Sequence, residues 1–354
     1  MRVVQTKPVD TRARDGSIVR MALALGPLGD RGPTVSKLGL GLAALGRPGY
    51  ITLGRSADLP ERTVEALEAR TVQLLDAAYA AGVRYVDAAR SYGRAEEFLA
   101  RWLRARGLGP RDATVGSKWG YRYTADWRID APVHEEKELS LARLRTQLAE
   151  SRAILGEALT LYQIHSATAD SGVLQDEDVL RALVEARRSG VVRAIGLTLT
   201  GTGSRRTLEL ALDARIDGER VFDVVQATYN VLEPSLRDAL AEARAAGLGV
   251  ILKEVHANGR LTPANRRPED ERLRQRLGEI AGRLAVPVDR LAVAFAASLG
   301  AADLVLSGAV TTDQLRSHVA GVALELDDAT LGELAELAEP PETYWKTRSA
   351  LPWH

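Results

Sequence analysis

Cysteine is absent from this 354-residue chain, which excludes a disulfide framework, a thiolate metal site and a cysteine nucleophile. Net charge is absent too: 47 Lys and Arg residues balance 47 Asp and Glu residues, so no overall field attracts nucleic acid or an anionic membrane. No apolar run approaches the roughly 20 residues that span a bilayer, and residues 21–25 are too short for a signal peptide. We therefore expect a soluble, cytoplasmic protein without nucleic-acid or membrane partners.

Apolar sequence is plentiful and regularly arranged. Hydrophobic residues make up 45% of the chain, enough to bury a large core. Residues 1 to about 20 lack periodicity and are expected to form a flexible N-terminal extension, and residues 21–354 to form one domain. The predicted strands cover 37–41, 83–87, 113–118, 159–165, 191–197, 221–227, 248–253 and 303–307. The predicted helices cover 61–81, 95–106, 135–155, 176–189, 204–214, 235–246, 269–284, 288–299, a segment from 312 onward, and 328–338.

Strands that alternate with helices imply parallel pairing, because each crossover returns the chain to the same end of the sheet. Eight such units favour a closed barrel over an open sheet. The expected fold is therefore of the α/β class, a single-domain (β/α)₈ TIM barrel, whose chemistry would lie at the carboxyl ends of the strands.

Four polar residues follow three successive predicted strands. Asp87 ends one strand and Tyr92 lies in the loop after it, Lys118 ends the next strand, and His165 ends the third. Singly, each has an ordinary structural role as an alternative: a helix cap, a packing residue, a solvated strand end or a core histidine. Together they favour a shared site at one rim of the barrel.

The four residue types suit reduction of a carbonyl. A tyrosine ionises at about pH 10, so it is a slow proton donor or acceptor without help. A lysine ammonium beside the phenol lowers its pKa, and an aspartate holds that lysine in place. A histidine can orient the substrate oxygen through a hydrogen bond. Since no side chain donates hydride, this chemistry requires a nicotinamide.

At these residues the sequence resembles the aldo-keto reductases. The pattern Asp-x-Ala-x-x-Tyr-Gly at 87–93 is similar to that family's signature, and the strands that end on Lys118 and His165 are similar to its lysine and histidine strands. The resemblance covers nearly the whole chain from about Leu25 onward. It implies the (β/α)₈ barrel, with Tyr92 as general acid/base, Lys118 and Asp87 tuning it, and His165 orienting the carbonyl.

The resemblance also implies a cofactor site. The segment 225–230 is similar to the family's sixth strand, so Gln226 would bond the nicotinamide carboxamide and Tyr229 would stack on its ring. The segment 307–314 is similar to the last strand and following helix, whose backbone amides hold the pyrophosphate. The expected cofactor-binding residues are Thr198, Gln226, Tyr229, Lys253, Ser307, Gly308, Ala309, Thr311, Gln314 and His318.

Three departures from the family pattern leave the cofactor type open. Thr198 is followed by Leu199 where the family has Ser-Asn, and Lys253 opens a charged run, 253–259, in place of Ser-Pro-Leu-Gly. The charged groups of that run are expected to pair with each other, with contact to the cofactor's phosphates as the alternative. Where many members carry Lys and Arg around a 2′-phosphate, this chain has Gly308 and Gln314. The candidate replacements are Arg316, His318, Arg205 and Arg206. The expected cofactor is NADP, with NAD as the alternative.

The segment 119–134 follows the lysine strand and is rich in aromatic residues. Trp119, Tyr121 and Trp127 are expected to wall the substrate pocket, because ligand pockets are mostly apolar with a few polar anchors; covering the barrel edge is the alternative. The substrate would be a small carbonyl or sugar-like molecule. The sequence leaves the oligomeric state open.

Three functions remain at this point. The first is an NAD(P)-dependent oxidoreductase that interconverts a carbonyl and a hydroxyl group in an aldehyde, ketone or sugar-like substrate. The second is a nucleotide-binding regulatory barrel without catalysis, and the third is an enzyme that uses the same tyrosine for elimination or isomerisation. Metal hydrolysis is poorly supported, because the five histidines are scattered and His-Glu-x-x-His is absent; no metal is expected.

Overall fold

Eight parallel strands close into a barrel in the computed structural model, which describes residues 23–353. The expected extension before residue 21 lies outside the described residues. The barrel strands are β1 Leu38–Gly41, β2 Tyr85–Asp87, β3 Thr114–Trp119, β4 Leu159–Ala167, β5 Ala194–Leu199, β6 Val224–Thr228, β7 Gly249–Lys253 and β8 Leu304–Ser307. Each pairs with its neighbours in the chain, and β8 pairs with β1. The predicted (β/α)₈ barrel of a single domain is confirmed.

Helices surround the barrel and join its strands. They are α1 Arg55–Asp58, α2 Val64–Ala80, α3 Ala95–Arg106, α4 Leu141–Leu155, α5 Glu177–Arg188, α6 Ser204–Asp213, α7 Arg237–Ala245, α8 Glu271–Arg283, α9 Val288–Ala297, α10 Thr312–Gly321, α11 Asp328–Ala335 and α12 Pro341–Ser349. Short 3₁₀ turns cover Gly156–Ala158, Ala169–Ser171, Ala257–Gly259 and Pro268–Asp270. Within residues 23–353 no helix is long and apolar enough to cross a bilayer.

The strand sequences form a barrel because both of their faces are buried. All six residues of β3 and all six of β5 are buried, as expected for parallel strands covered by helices outside and side chains inside. Outward side chains pack on the helices, while a separate inner cluster joins Tyr85, Leu161, Val224, Ile251 and Leu304 from five different strands. The interior is therefore packed at its lower end, and the cavity described below opens toward the carboxyl ends of the strands.

An N-terminal hairpin closes the lower end of the barrel. Its strands, Leu25–Pro27 and Thr34–Ser36, pair antiparallel, and Leu28 between them is fully buried. The backbone of Gly29, with φ of +67°, approaches β7 so closely that a β-carbon would lie 2.2 Å from the Gly249 nitrogen. Glycine is required there by both its left-handed conformation and the lack of space.

One predicted helix is wrong in its first third. The segment expected to be helical from 135 begins as a strand, Glu135–Lys137, which pairs antiparallel with Tyr121–Tyr123, and α4 begins only at Leu141. The reason is local: the Ser140 hydroxyl accepts from the Arg143 amide and caps the helix there. The hairpin stands above β3 and brings Glu135 toward the barrel mouth.

Candidate active site

A cavity of about 770 Å³ opens at the carboxyl ends of the barrel strands. Its volume lies within the roughly 300–1,000 Å³ range of small-molecule and cofactor sites. Ten of the residues expected to serve the site line it: Asp87, Tyr92, His165, Thr198, Gln226, Lys253, Ser307, Gly308, Gln314 and His318. Lys118 is nearly fully buried just beneath and contacts the cavity-lining groups.

Asp87 is the centre of a buried hydrogen-bond network. One carboxylate oxygen accepts from the Lys118 ammonium, and the other accepts from the Tyr85 hydroxyl and from Gln226 Nε2, both at 3.0 Å. Tyr85 reaches the carboxylate only because Gly116 leaves room, since a β-carbon there would lie 2.2 Å from the Tyr85 oxygen. The network fixes the orientation of the carboxylate.

Lys118 connects this network to the phenol of Tyr92. Its ammonium donates to the Ala88 carbonyl at 2.9 Å and lies 3.5 Å from the Tyr92 oxygen. Tyr92 and Lys118, separated by 26 positions in the chain, therefore meet at the cavity wall. The arrangement places a cation against the oxygen of a phenol that faces the cavity.

The pKa of Tyr92 departs from the expectation that lysine would lower it. Burial raises the pKa of the phenol well above 10, and the Asp87 carboxylate raises it further. The Arg47 guanidinium lowers the Tyr92 pKa but does not offset this rise. Without a ligand, the phenol therefore keeps its proton throughout the neutral range.

His165 stands at right angles to the Tyr92 ring, with the ring centroids 5.5 Å apart. Burial lowers the pKa of His165 well below 6.5, and the charges of Lys118 and Arg47 lower it further. The imidazole is consequently neutral at pH 7. Its Nδ1 is buried and has no hydrogen-bond partner among the described residues, so any contact with a ligand would use Nε2.

Arg47 is a site residue that the sequence did not reveal. It lies in the loop after β1, is only 2% exposed, and donates to the Ser91 carbonyl at 2.9 Å and to Glu135 at 2.7 Å. Its guanidinium carbon lies 5.2 Å from the centroid of the Tyr92 ring and 4.9 Å from that of Trp353. No sequence motif identifies this loop arginine as a site residue, because its partners come from distant segments of the chain.

Tyr229 does not reach the cavity, which corrects the expected stacking on a nicotinamide. Side chains alternate along a strand, and Gln226 points into the barrel, so Tyr229, three positions later, points outward. Its ring is 1% exposed and stacks on Phe295 of α9, with centroids 5.7 Å apart. Among the described residues, the side chain that lines the cavity at the end of β7 is Lys253.

The expected aromatic wall is corrected in the same way. Trp119 follows the inward-pointing Lys118, so it points outward and is fully buried against the helices. Trp127 packs on Phe98 and donates to the Arg62 carbonyl at 2.9 Å. Tyr121 contacts His165, with centroids 4.9 Å apart, but stands outside the cavity lining. The residues that wall the mouth are Arg47, Tyr50, Glu135, Arg348, Ser349 and Trp353.

The far part of the cavity lies beside β8 and the start of α10. The Ser307 hydroxyl bonds His318 Nδ1 at 2.8 Å, and Thr311 and Gln314 cap α10 reciprocally. Ala309 and Thr311 help to build this turn but do not line the cavity. The amides of Ala309, Val310 and Gln314 are already bonded within the turn, which leaves the amides of Thr312 and Asp313 in the first helical turn without a partner among the described residues.

These groups fit a nicotinamide dinucleotide. Gln226 lines the cavity and donates its amide nitrogen to Asp87, while its amide oxygen has no partner among the described residues. The Thr198 hydroxyl accepts from the Ser166 amide at 2.7 Å and can still donate. An acceptor and a donor near Asp87 suit a carboxamide, and the open Gly308 beside the positive end of α10 suits a pyrophosphate.

A model of the Aldo/keto reductase family matches residues 37–339 of this chain, which is most of its length. The chain belongs to the aldo/keto reductase family. The matched range begins just before β1 and ends after α11, so it contains Asp87, Tyr92, Lys118 and His165. It excludes α12 and the tail with Trp353.

The relatives of this aldo/keto reductase include oxidoreductases. It is 26% identical over 335 residues to a protein named D-threo-aldose 1-dehydrogenase from a Pseudomonas species, covering 86% of this chain and 96% of the relative. It is 22% identical over 351 residues to the NADH-specific methylglyoxal reductase of Escherichia coli, covering 89% and 98%. The holo form of aldo-keto reductase AKR11C1 from Bacillus halodurans superposes with a TM-score of 0.68 at 20% identity, covering 90% and 97%, and supports the fold alone.

Proposed function

We propose that this aldo/keto reductase is a nicotinamide-dependent oxidoreductase that interconverts a carbonyl and a hydroxyl group, with Tyr92 as its general acid and base. The observation that carries the proposal is the chain of contacts from Asp87 through Lys118 to the Tyr92 oxygen, which ends at the cavity opposite His165. A proton donor, a cation and a neutral imidazole thus surround one position where a substrate oxygen could bind.

Some of these residues transfer the proton, and others orient the substrate oxygen or the catalytic groups. In the reductive direction, Tyr92 gives its phenolic proton to the carbonyl oxygen, and Lys118 stabilises the phenolate that remains. His165 holds the same oxygen through Nε2 without gaining a proton, because its pKa is low. Asp87 fixes Lys118 and keeps a compensating charge close to it. The dinucleotide, when bound, supplies or accepts the hydride.

The far part of the cavity favours NAD(H) over NADP(H). Its described lining contains the acidic residues Asp58, Asp289 and Asp313, and a carboxylate suits a ribose hydroxyl but repels a 2′-phosphate. Arg316, a candidate phosphate ligand, bonds Asp313 at 2.7 Å and is 72% exposed outside the lining. Arg205 and Arg206 pair with glutamates on the surface, and burial lowers the pKa of His318 well below 6.5.

The cavity mouth favours a polar substrate. A guanidinium and a carboxylate, Arg47 and Glu135, stand beside two aromatic rings, Tyr50 and Trp353. Such a combination offers donors, acceptors and a flat apolar face, which suits a small sugar or an oxygenated aldehyde better than an alkyl chain. The names of the relatives, an aldose dehydrogenase and a methylglyoxal reductase, agree with this substrate class.

The proposal is tested with Tyr92→Phe and a panel of aldehydes, ketones and aldoses, following the absorbance of reduced nicotinamide. We expect the variant to lose at least about 100-fold in kcat, the usual contribution of general acid–base catalysis, while its dinucleotide affinity, measured by tryptophan quenching, stays within twofold. Tyr79→Phe is the matched control, because that ring packs on Trp102 away from the cavity and should change neither quantity.

Other outcomes would point elsewhere. Dinucleotide binding without turnover of any substrate would favour a regulatory barrel. Substrate consumption without a change in nicotinamide absorbance would favour elimination or isomerisation. Parallel titration with NADH and NADPH checks the cofactor preference, for which we expect the tighter dissociation constant for NADH.

A further inference from the structure

Lys253 is the last residue of β7 and lines the cavity close to the proposed catalytic groups. Its side chain is 16% exposed, and its ammonium donates to the Thr228 hydroxyl at 2.9 Å. That is the one hydrogen bond it makes among the described residues, so two of its three donors are unused. It lines the same cavity as His165, and its charge is among those that lower the pKa of that histidine.

The acidic residue next to Lys253 forms its hydrogen bonds with another cation. Glu254 accepts from Arg348 of α12 through both carboxylate oxygens, with Arg348 Nε at 2.9 and 3.0 Å. It also accepts from the Thr228 hydroxyl at 3.1 Å. The Lys253 ammonium lies 3.9 Å from the nearer Glu254 oxygen, beyond hydrogen-bond distance. Asp87, the other acid that acts on Lys253, is held by Lys118.

The charges around Lys253 therefore do not balance. Glu254 is shared by two cations, because it is hydrogen-bonded to Arg348 and lies within ion-pair distance of Lys253. Lys118 and Asp87 form a separate pair, so three cations face two carboxylates and one positive charge is in excess. Buried charges in proteins are ordinarily paired, because removing an unpaired charge from water is costly. Burial lowers the pKa of Lys253 to about 8, with Arg348 and Lys118 adding to the effect against Glu254. At pH 7 the group is still mostly charged.

We propose that Lys253 is a specificity residue that binds a carboxylate carried by the same substrate molecule as the reacting carbonyl. This rests on the proposed function and narrows its substrate class to aldehyde acids and uronic acids. The carboxylate would take up the two unused ammonium donors and supply the missing negative charge. The phosphates of a dinucleotide would lie at the other end of the cavity, beside α10, away from this lysine.

The test compares substrate pairs that differ only by a carboxylate, namely succinic semialdehyde against butanal and glucuronate against glucose. For each pair we measure the ratio of kcat/KM for the acid to that for the neutral compound. We expect Lys253→Met to lower this ratio at least about tenfold, as a lost charge-assisted hydrogen bond implies, and Lys253→Arg to retain most of it. Lys346→Met, an exposed lysine of α12 outside the cavity lining, should leave the ratio unchanged.

A binding measurement supports the kinetics without requiring turnover. Succinate, titrated by tryptophan quenching, should bind more weakly as the pH rises through about 8 in the wild type, because Lys253 loses its charge there. This pH dependence should disappear in Lys253→Met. An unchanged acid-to-neutral ratio in Lys253→Met would overturn the proposal, and so would a weakened dinucleotide affinity with that ratio intact, since the counter-charge would then be a cofactor phosphate. If the wild type reduces neither class of compound, the proposed function fails, while the succinate titration still decides the role of Lys253.

Discussion

The buried pair of Asp87 and Lys118 should behave as one energetic unit, which a double-mutant cycle can measure. Lys118→Met leaves the Asp87 carboxylate with two donors at 3.0 Å, Tyr85 and Gln226. Asp87→Asn places an amide NH₂ where the carboxylate accepted four donors, the weakest being Gln163 Nε2 at 3.5 Å, so at least one of them loses its acceptor. Breaking a buried pair costs about 3–5 kcal/mol. We expect about 3 kcal/mol for Lys118→Met and about 5 kcal/mol for Asp87→Asn.

The double variant Asp87→Asn/Lys118→Met removes both charges together. It should cost about 5 kcal/mol rather than the sum of about 8, because neither charge is then left alone; a coupling of about 3 kcal/mol is at the upper end for contacting residues. The assay is urea unfolding at pH 7, followed by tryptophan fluorescence and circular dichroism, with the free energy taken from the midpoint at constant slope. All variants are unfolded without ligand, because a ligand of the cavity would bind each variant with a different affinity and stabilise it by a different amount.

Additivity of the two single changes within about 0.5 kcal/mol would refute this reasoning. It would mean that water or other dipoles already compensate each charge separately. A matched pair on the surface, Arg122 and Glu136 of the hairpin, provides the control. Both side chains are 56% exposed, so their coupling should not exceed about 1 kcal/mol.

Three further predictions concern the surroundings of the site. Trp353→Ala should raise KM with little change in the free energy of unfolding, whereas Trp119→Ala should lower that free energy by about 3–5 kcal/mol through a core cavity. Glu254→Gln should remove a pH dependence of the free energy of unfolding. In the folded protein Arg348 and Lys253 lower the pKa of Glu254 to about 2, against the effect of burial. The carboxylate therefore contributes about 3 kcal/mol above pH 4.5, and this contribution is lost as the pH falls toward 2. Gly116→Ala should displace the Tyr85 hydroxyl from Asp87 and destabilise the fold by about 1–3 kcal/mol.

Each of these has a measurement that could contradict it. Equal KM values for Trp353→Ala and the wild type on every substrate would remove that ring from the pocket. Identical acid-unfolding curves for Glu254→Gln and the wild type would show that the ion pair contributes nothing. Gly203→Ala is the control for the glycine change, because no atom lies within 4 Å of a β-carbon there.

The fold and four proposed catalytic residues could be predicted because their signals are local or strictly periodic. A buried parallel strand is recognisable as a short apolar run, and the residue that ends it must lie at one rim of the barrel. The errors came from side-chain direction. Tyr229 lies three positions after the inward-pointing Gln226, and Trp119 lies one position after the inward-pointing Lys118. Because side chains alternate along a strand, both point toward the helices rather than into the cavity. The sequence correctly predicted that both residues lie at the end of a strand, but it did not predict the side of the barrel wall on which their side chains lie.

The cavity walls and the charge balance depend on contacts between distant segments. Arg47 meets Glu135 across 88 positions, and Glu254 meets Arg348 across 94. No fixed separation along the sequence identifies such pairs, because loops of many lengths can bring two groups together at the rim of the barrel.

The sequence by itself thus determined the barrel, the family resemblance and the order of Asp87, Tyr92, Lys118 and His165 around its rim, because strand period and connection order are properties of neighbouring residues. The tertiary structure alone decided which charges cancel. It buried Tyr92 beside Asp87, which raises the pKa of the phenol, and it placed Glu254 between Arg348 and Lys253, so that one carboxylate is shared by two cations. Burial and electrostatic fields act through space, and they depend on the closed barrel rather than on any segment of the chain.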